Sequence, residues 1–359
     1  MNFRNNDLLI RNLRSRLIDV WGRVLAPRSQ CALILFPDHW NVGDSAIWWG
    51  TRRVFAELEI RVAYACDPWS YNPKALQAAL PEGQILLLGG GNFGDVYPPE
   101  AELRASILRD FEGREIVQLP QSIWFKSPAS VRTMAESLSR HGKFTLLARD
   151  EGSAAFGKLH FPSTRIELCP DSAFALDLSQ TPRNPCLPVL ALWRTDGESA
   201  GALPALPTGW QVSDWEEPMD RPKDLEMIPF STAMVGFREW IGPYPSSDHA
   251  NGKGIARRKI AWRFAPWLWD QLAEERTVRG LNLLSKGKVV LTNRLHVHIL
   301  CLLAGIPHVV CDTSNGKIFA FRKTWLEGVS CGSVDPSTMR FADTPEQAIE
   351  AAHSLLSIC

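Results

Sequence analysis

The sequence predicts an α/β protein made of two Rossmann-like domains with parallel sheets, and three observations support this. Short apolar runs suited to buried strands alternate with segments of helical periodicity along most of the 359 residues. A stretch with three prolines and little pattern, residues 178–188, separates two such series. Polar or glycine residues directly follow several of the apolar runs, which is where ligands bind in parallel sheets. We therefore expect a ligand cleft between the domains, facing the carboxyl ends of the strands.

Composition and charge are those of a soluble globular protein, with 45% hydrophobic and 22% charged residues. Thirty-nine basic residues balance thirty-nine acidic ones, which gives no support for nucleic-acid binding. No apolar stretch reaches the roughly 20 residues that span a bilayer, and the N-terminus lacks the apolar core of a signal peptide. The eight cysteines contain no CxxC pair, which argues against a zinc knuckle or a thioredoxin-type site. We expect a cytoplasmic protein with reduced cysteines.

Residues 1–26 have the pattern of an amphipathic helix and form most of a predicted N-terminal segment, 1–30. The apolar side consists of Leu8, Leu9, Leu13, Leu17, Trp21 and Leu25. The first 30 residues also carry six arginines against two aspartates. A basic amphipathic helix can lie on an anionic membrane. The alternative is a helix that packs on the protein's own body with its arginines in water.

The first domain, predicted at residues 31–180, alternates strands with helices. The predicted strands are 31–36, 84–90, 115–120, 144–149 and 165–171. The predicted helices are 43–58, 99–111, 128–141 and one that opens at Asp150. This alternation implies a parallel sheet covered on both faces.

The second domain, predicted at residues 181–359, begins with a strand at 189–194. The many prolines and tryptophans of 197–255 allow no secondary-structure assignment there. A long helix is predicted at 257–285. The alternation then returns with strands at 288–293 and 307–312 and helices at 294–304, 316–326 and 345–357.

The first candidate site segment, residues 37–44, follows the first predicted strand. Gly43 and Asp44 open the next helix, so free backbone N–H groups point into the cleft there. Asp44 could bind sugar hydroxyls. Aspartate is also a common helix cap, and spacing alone does not separate these two roles.

A glycine run, Gly89-Gly90-Gly91, follows the next predicted strand and leads into residues 92–95. The run fits GxGxxG through Gly94, but two prolines follow, so no helix starts on the glycines. A dinucleotide site also needs an acidic residue about 20 positions on, and none is clear. A dinucleotide site is therefore disfavoured, although the glycines indicate a close approach to the backbone.

Three further segments bring positive charge to the predicted cleft. Arg194, in the segment 194–196, ends a strand where its planar fork could bind a carboxylate or phosphate, with an interdomain ion pair as the alternative. Arg294 and His296 lie at a helix start, where the dipole and free N–H groups favour an anion. Lys317 also begins a helix, a position that cations disfavour unless an anion is bound there.

His296 and His298 are two positions apart, so on a helix they point in nearly opposite directions and do not chelate a metal together. We expect one histidine to face the cleft and His298 to be a satisfied core residue. The sequence has no GxxxxGK[ST] phosphate loop, no HExxH motif and no GxSxG nucleophile elbow.

Eight segments in order resemble the polysaccharide pyruvyl transferase family, from about residue 37 to about residue 325. They are NVGDSAIWWG, GGGNFGD, LPQSIWF, ARDEGS, CPDSAFAL, WRTDGES, TNRLHVHILCLLAGIP and NGKIFAF. The resemblance implies a two-domain fold similar to the GT-B glycosyltransferases. It also implies phosphoenolpyruvate as the donor substrate, with no cofactor and no metal. The product would be a pyruvate ketal on a hexose of an exopolysaccharide, capsule or cell-wall glycan.

The resemblance further implies which residues bind each substrate. Phosphoenolpyruvate would be held by Arg194, Arg294, Leu295, His296 and Lys317. The acceptor would be held by Asn41, Gly43, Asp44, Gly90, Gly91, Asn92 and Asp171. Family members often carry an aromatic residue where this chain has Ser314-Asn315.

In the mechanism that we expect, His296 protonates the methylene carbon of phosphoenolpyruvate. Asp44 or Asp171 would position or deprotonate the attacking hydroxyl. One alternative is a glycosyltransferase that uses a nucleotide sugar, and another is a catalytically silent glycan-binding subunit. If the acceptor is lipid-linked, residues 1–26 could hold the enzyme at the inner face of the cytoplasmic membrane.

Overall fold

The computed structural model describes residues 4–194, 199, 201–215, 252–327 and 335–358, with side chains described from residue 6 in the first helix and from residue 266 in the long one. The strands are β1 (Gln30–Ile34), β2 (Arg61–Cys66), β3 (Gln84–Leu87), β4 (Gly90–Gly94), β5 (Ile116–Trp124), β6 (Phe144–Ala148), β7 (Arg165–Leu168), β8 (Leu187–Leu192), β9 (Gln211–Ser213), β10 (Gly287–Thr292), β11 (His308–Cys311) and β12 (Met339–Ala342). The helices are α1 (Arg4–Val24), α2 (Val42–Glu57), α3 (Pro73–Ala79), α4 (Pro98–Asp110), α5 (Pro128–His141), α6 (Glu151–His160), α7 (Gly252–Leu284), α8 (Leu295–Leu303), α9 (Lys317–Trp325) and α10 (Pro345–Leu356).

The strands form two parallel sheets, which confirms the predicted fold class. The first sheet has the order β2-β1-β3-β5-β6-β7, with β4 pairing to β5, and the second has the order β12-β11-β10-β8-β9. Each strand pairing that the structure describes is parallel. The chain passes from one sheet to the other between β7 and β8. The domain limits at 30/31 and 180/181 stay predictions.

Helix α1 packs its apolar stripe into the core, as the second of the two interpretations expected. Leu9, Leu13, Leu17 and Trp21 are fully buried. Leu8 was wrongly placed on this side, because it is 54% exposed. The buried residues recur every four positions, and Leu8 lies about 100° away from Leu9 around the helix.

Polar contacts of α1 also tie it to distant parts of the chain. Arg14 forms an ion pair with Glu57. Asn6 Nδ2 donates to Thr338 Oγ1 at 2.8 Å, 332 positions away. Since α1 contributes core residues, deleting residues 2–26 would open the core instead of removing a detachable anchor. None of the helices among the described residues is long and apolar enough to cross a bilayer.

Several elements escaped sequence prediction for identifiable reasons. Strand β4 consists of GGNFG, and glycine and asparagine are poor strand formers. It nevertheless pairs with β5, with a register shift between Gly90 and Phe93. On its other side, the pairing of β5 with β6 shifts register between Gln118 and Gln121, around Pro120. Proline cannot donate to the ladder and is tolerated at such irregularities. The strands β2 and β12 and the helix α3 are short and weakly patterned, so their sequences gave no clear periodic signal.

Helix α7 fixes α2, the helix that carries the first candidate site segment. Asp270 of α7 accepts hydrogen bonds from Trp48 Nε1 and Arg52 Nε, both at 2.9 Å. Trp269 stacks on Phe36 with ring centres 5.1 Å apart. Because Trp48 and Arg52 lie in the middle of α2, these contacts hold the body of α2 against α7.

Candidate active site

The centre of the site is a buried carboxylate with two basic partners. Asp171 follows β7, Arg149 follows β6 and His296 lies in the first turn of α8. Asp171 Oδ2 is 2.9 Å from Arg149 Nη1 and 3.2 Å from His296 Nε2. Asp171 Oδ1 accepts from Ala173 N–H at 2.9 Å. Residues from both sheets therefore meet at one carboxylate.

Charge and hydrogen bonding keep Asp171 ionised despite its burial. Only 1% of its side chain is exposed, and this desolvation by itself raises the pKa of the carboxyl. The charge and hydrogen bond of His296 and the charge of Arg149 outweigh it, so the pKa of Asp171 lies well below its usual range. A carboxylate that is so strongly stabilised is a weak base. The geometry fits Asp171 for orienting His296 better than for deprotonating a hydroxyl.

Arg149 is a site residue that the sequence analysis did not select. Its Nε donates to Ser122 Oγ at 2.8 Å, and Ser122 in turn donates to Asp150 Oδ2 at 2.7 Å. Trp325 Nε1 donates to the Arg149 carbonyl at 2.8 Å. The signal was present, because Arg149 ends an apolar strand in the same way as Arg194.

Two glycines of α2 let the helix approach this centre. Gly43 and Gly50 are seven positions apart and so share one face. A β-carbon on Gly43 would lie 2.6 Å from His296 Cβ and Nδ1. A β-carbon on Gly50 would lie 2.1 Å from the Ser172 carbonyl oxygen. Any side chain at either position would push α2 away from His296 or Asp171.

Asn41, not Asp44, caps α2. Asn41 Oδ1 accepts from Gly43 N–H at 3.0 Å, and Asn41 Nδ2 donates to Asp44 Oδ2 at 2.9 Å. His39 Nε2 lies 3.6 Å from the same Asp44 oxygen. Capping of α2 was the alternative to ligand binding for Asp44. Asn41 fills this capping role instead.

The glycine strand β4 lies between two groups of charged side chains, with Lys317 and Arg149 near one glycine and Asp44 near the other. A β-carbon on Gly91 would lie 3.3 Å from Lys317 Nζ and 3.5 Å from Arg149 Nη2. A β-carbon on Gly90 would lie 3.5 Å from Asp44 Oδ1. Two cations therefore approach the space over Gly91, while a carboxylate approaches the space over Gly90.

Asn92, the next residue of β4, is held by the protein. Its Oδ1 accepts from Gln121 Nε2 at 2.7 Å and from Arg104 Nη2 at 3.2 Å. Arg104 is fully buried, and burial lowers its pKa to about 10. Asn92 therefore helps to fix the glycine strand through this amide oxygen.

Lys317 is the first residue of α9, as predicted. Gly316 precedes it with φ of 67°, a left-handed conformation that suits glycine. Asp312 accepts from the backbone N–H of Ile318 at 3.1 Å and of Phe319 at 3.2 Å. Part of the negative charge that this helix start favours is therefore supplied by the protein.

The two predicted arginines of the second sheet lie close to each other in the fold. Arg194 N–H donates to Asn293 Oδ1 at 2.7 Å, so Arg194 sits beside the loop before α8. Arg294 Nη2 contacts both oxygens of Asp214, at 2.6 and 2.7 Å. Leu295 is largely buried, which leaves its backbone N–H at the start of α8 as the group able to meet a ligand.

Comparisons with known proteins agree with this arrangement. A sequence profile described as polysaccharide pyruvyl transferase matches residues 41–232 and 246–315. The chain belongs to the polysaccharide pyruvyl transferase family. It is 28% identical over 330 residues to the Bacillus subtilis protein named "Putative pyruvyl transferase EpsO", covering 92% of this chain and 94% of the relative. It is 29% identical over 339 residues to pyruvyl transferase 1 of Schizosaccharomyces pombe, covering 89% and 75%.

A solved structure shares the fold of this family member. The crystal structure of a functionally uncharacterized Klebsiella pneumoniae protein superimposes with a TM-score of 0.53 at 17% identity, covering 93% of this chain and 99% of that one. Together with the family match, this makes the chain a pyruvyl transferase with two Rossmann-like parallel sheets.

The other histidine of α8 is a core residue in this transferase, but the expectation that it is satisfied was wrong, because its buried Nε2 has no hydrogen-bond partner among the described residues. His298 is fully buried, and its Nδ1 lies 2.8 Å from His308 Nε2. Among the predicted residues of segment 194–196, Thr195 and Asp196 lie outside the described residues, as do residues 216–251. Within the part of the chain that the structure describes, no group of three His, Cys, Asp or Glu side chains could hold a metal.

Proposed function

We propose that this enzyme transfers the enolpyruvyl group of phosphoenolpyruvate to a hexose of a glycan, forming a pyruvate ketal and releasing phosphate. The observation that carries the proposal is the buried contact of Asp171 with both His296 and Arg149, set beside two further cations in a polysaccharide pyruvyl transferase. The acceptor would belong to an exopolysaccharide, capsule or cell-wall glycan, or to its lipid-linked precursor.

The donor carries a phosphate and a carboxylate, and the site offers cations for both. Lys317 and Arg149 approach the same space over Gly91 and suit one anion. Arg194, Arg294 and the free N–H groups at the start of α8 suit the other. Arg294 would then share its charge between Asp214 and the ligand.

His296 is the proposed general acid. Asp171 accepts from Nε2, so Nδ1 is the nitrogen that would deliver a proton to the methylene carbon of phosphoenolpyruvate, from the side of the ring that faces Gly43 at the start of α2. Protonation makes the neighbouring carbon cationic, and a sugar hydroxyl attacks that carbon. A general acid of this kind contributes typically 10²–10⁴-fold in rate.

Asp44 is the proposed base for the hydroxyl. Unlike Asp171 it is partly exposed, and it lies at the free end of α2 beside Gly90. A second hydroxyl then displaces phosphate and closes the ketal ring. Of the two hydroxyl protons, one replaces the proton that His296 gave to carbon, and the other leaves with phosphate.

Thermal unfolding with and without phosphoenolpyruvate in metal-free buffer tests donor binding. A ligand at about 100 times its dissociation constant adds roughly 2.7 kcal/mol of stability, which raises the Tm measurably. UDP and GDP serve as comparison ligands. A shift with a nucleotide alone would reject the proposal in favour of a glycosyltransferase.

The variant His296→Gln tests the acid. We expect kcat for phosphate release to fall at least about 100-fold, while phosphoenolpyruvate still raises the Tm. The matched control is His353→Gln, an exposed histidine of α10 that should keep wild-type turnover. Near-wild-type turnover in His296→Gln would exclude His296 as the acid.

A further inference from the structure

Two exposed tryptophans lie beside the site and take no part in the proposed transfer step. Trp40, in the loop after β1, is 53% exposed, and Trp69, in the loop after β2, is 68% exposed. The two strands are neighbours in the sheet. Phe36 N–H donates to the Cys66 carbonyl at 2.9 Å just past their ends. The two loops therefore leave the same edge of the sheet side by side.

Trp40 is held from one side by two arginines of α7. The guanidinium carbons of Arg276 and Arg279 lie 5.6 and 5.3 Å from its ring centres. Arg279 also donates to the Trp40 carbonyl, and Arg276 donates to the Pro37 carbonyl at 2.9 Å. Residues three apart share a helix face, so both cations approach from α7 and the remainder of the ring meets solvent.

Trp69 sits on a turn that is fixed by a buried carboxylate. Asp67 Oδ1 accepts from Trp69 N–H at 2.9 Å and from Ser70 N–H at 2.7 Å. Ser70 Oγ donates to the same oxygen at 2.6 Å. These bonds fix the backbone of the turn that carries the exposed Trp69 ring, so the backbone needs little further ordering when a ligand contacts that ring.

The position and chemistry of the two rings indicate their ligand. Trp40 directly precedes Asn41, which caps α2 and hydrogen-bonds to Asp44, so Trp40 lies next to the proposed acceptor hydroxyl site. Trp69 follows the neighbouring strand at the same edge of the sheet. The negative face of an aromatic ring attracts the polarised C–H groups on the face of a sugar ring. Neutral sugar rings therefore fit this surface.

We propose that Trp40 and Trp69 form an aromatic shelf for the sugar units next to the one that receives the ketal. The shelf makes the enzyme recognise an oligosaccharide instead of a single sugar. This inference rests on the proposed function for the identity of the neighbouring site.

Calorimetric titration without phosphoenolpyruvate tests the shelf independently of transfer. The probes are glucose, galactose and mannose and their di-, tri- and tetrasaccharides. We expect affinity to rise with chain length in the wild type. In Trp40→Ala and in Trp69→Ala, the gain in affinity with chain length should be roughly two- to ten-fold smaller than in the wild type. Trp40→Phe, which keeps an aromatic face, should retain most of the gain.

The control variant is Leu159→Ala, because Leu159 is 74% exposed near the end of α6, at the opposite edge of the sheet. Equal affinity for one and four units, including binding of neither, would overturn the shelf. So would a gain that persists in both alanine variants. Phosphatidylglycerol vesicles that sediment the wild type but neither alanine variant would also overturn it, in favour of a membrane contact. Phosphate release from phosphoenolpyruvate, measured separately, decides the transfer reaction alone.

Discussion

Two histidines of α8, two positions apart, have opposite environments. His296 faces the Asp171 carboxylate at the cleft, within reach of residues from both sheets. His298 points into the core, against His308 and the rings of Phe321 and Phe341. The same residue type is thus placed for chemistry at one position and for packing at the other. What separates them is whether a buried acid is available.

The buried pair is organised to stay neutral. His308 Nδ1 lies 2.7 Å from the Ile306 carbonyl, which can only accept, so His308 Nε2 is an acceptor and His298 Nδ1 donates to it. Burial lowers the pKa of His308 to about 4. Burial also lowers the pKa of His298 well below its ordinary value, and the charge of His308 adds to that effect.

The largest effect is expected from removing Asp171, the buried acid that distinguishes the environment of His296 from that of His298. In Asp171→Ala the buried Arg149 loses its counter-charge. Removing one partner of a buried ion pair typically costs 3–5 kcal/mol. We expect the free energy of unfolding in urea to fall by about this amount. Asp343→Ala, at an exposed aspartate, is the control. If the free energy of unfolding of Asp171→Ala falls by less than about 1 kcal/mol, the ion pair of Asp171 with Arg149 does not stabilise the fold.

Lowering the pH should destabilise the folded protein through the buried pair of His298 and His308. The unfolded chain binds protons on both histidines near pH 6.5, whereas the folded chain keeps them neutral. Their contribution is therefore complete above about pH 6.5 and is lost as the pH falls toward 4. His308 alone should cost roughly 2 kcal/mol between pH 7 and pH 5. Urea unfolding at the two pH values measures this loss.

The double variant His298→Gln, His308→Gln removes both titrating groups. It should show a smaller difference between pH 7 and pH 5 than the wild type, even if it is less stable at both. An unchanged difference would mean that other groups dominate acid unfolding.

The last variant, Gly43→Ala, tests the contact between α2 and His296. The added methyl group would lie 2.6 Å from His296 Cβ and Nδ1, so α2 and His296 must move apart, and the better helix propensity of alanine offsets only part of this crowding. We expect the free energy of unfolding to fall by about 1–3 kcal/mol. Turnover should fall at least about 10-fold, because a shift near 1 Å can cost 100-fold.

Gly22→Ala in α1 is the matched control, since no atom lies within 4 Å of its added carbon. It should keep wild-type turnover. Full turnover in Gly43→Ala would show that the contact of α2 with His296 is dispensable.

Sequence patterns predicted the fold well where periodicity was strong. Most predicted strands and helices formed within a few residues of their limits, since apolar runs and capping residues such as Asp150 are local signals. Strand β4 was missed because its stability comes from pairing with β5, which no local pattern reports. Its glycines indicated close approach, and that approach is made by Lys317 and Arg149.

The site was predicted less completely, because contacts across the fold have no sequence signature. The helix start at His296 was visible, but its pairing with Asp171 joins residues 125 positions apart. The Asp214 contact of Arg294 lies in a stretch with no readable pattern. Arg149 could have been selected by the rule that selected Arg194, namely an arginine at the end of an apolar strand.

The contact between Asn6 and Thr338 has a consequence for biosynthesis. At about 5–20 residues per second, a ribosome needs roughly 20–60 s to make the 332 positions between them. During that interval Trp21 can already pack on Phe55, but the first turn of the N-terminal helix still lacks its hydrogen bond to Thr338. That turn is therefore the last part of the helix to be fixed as the chain leaves the ribosome.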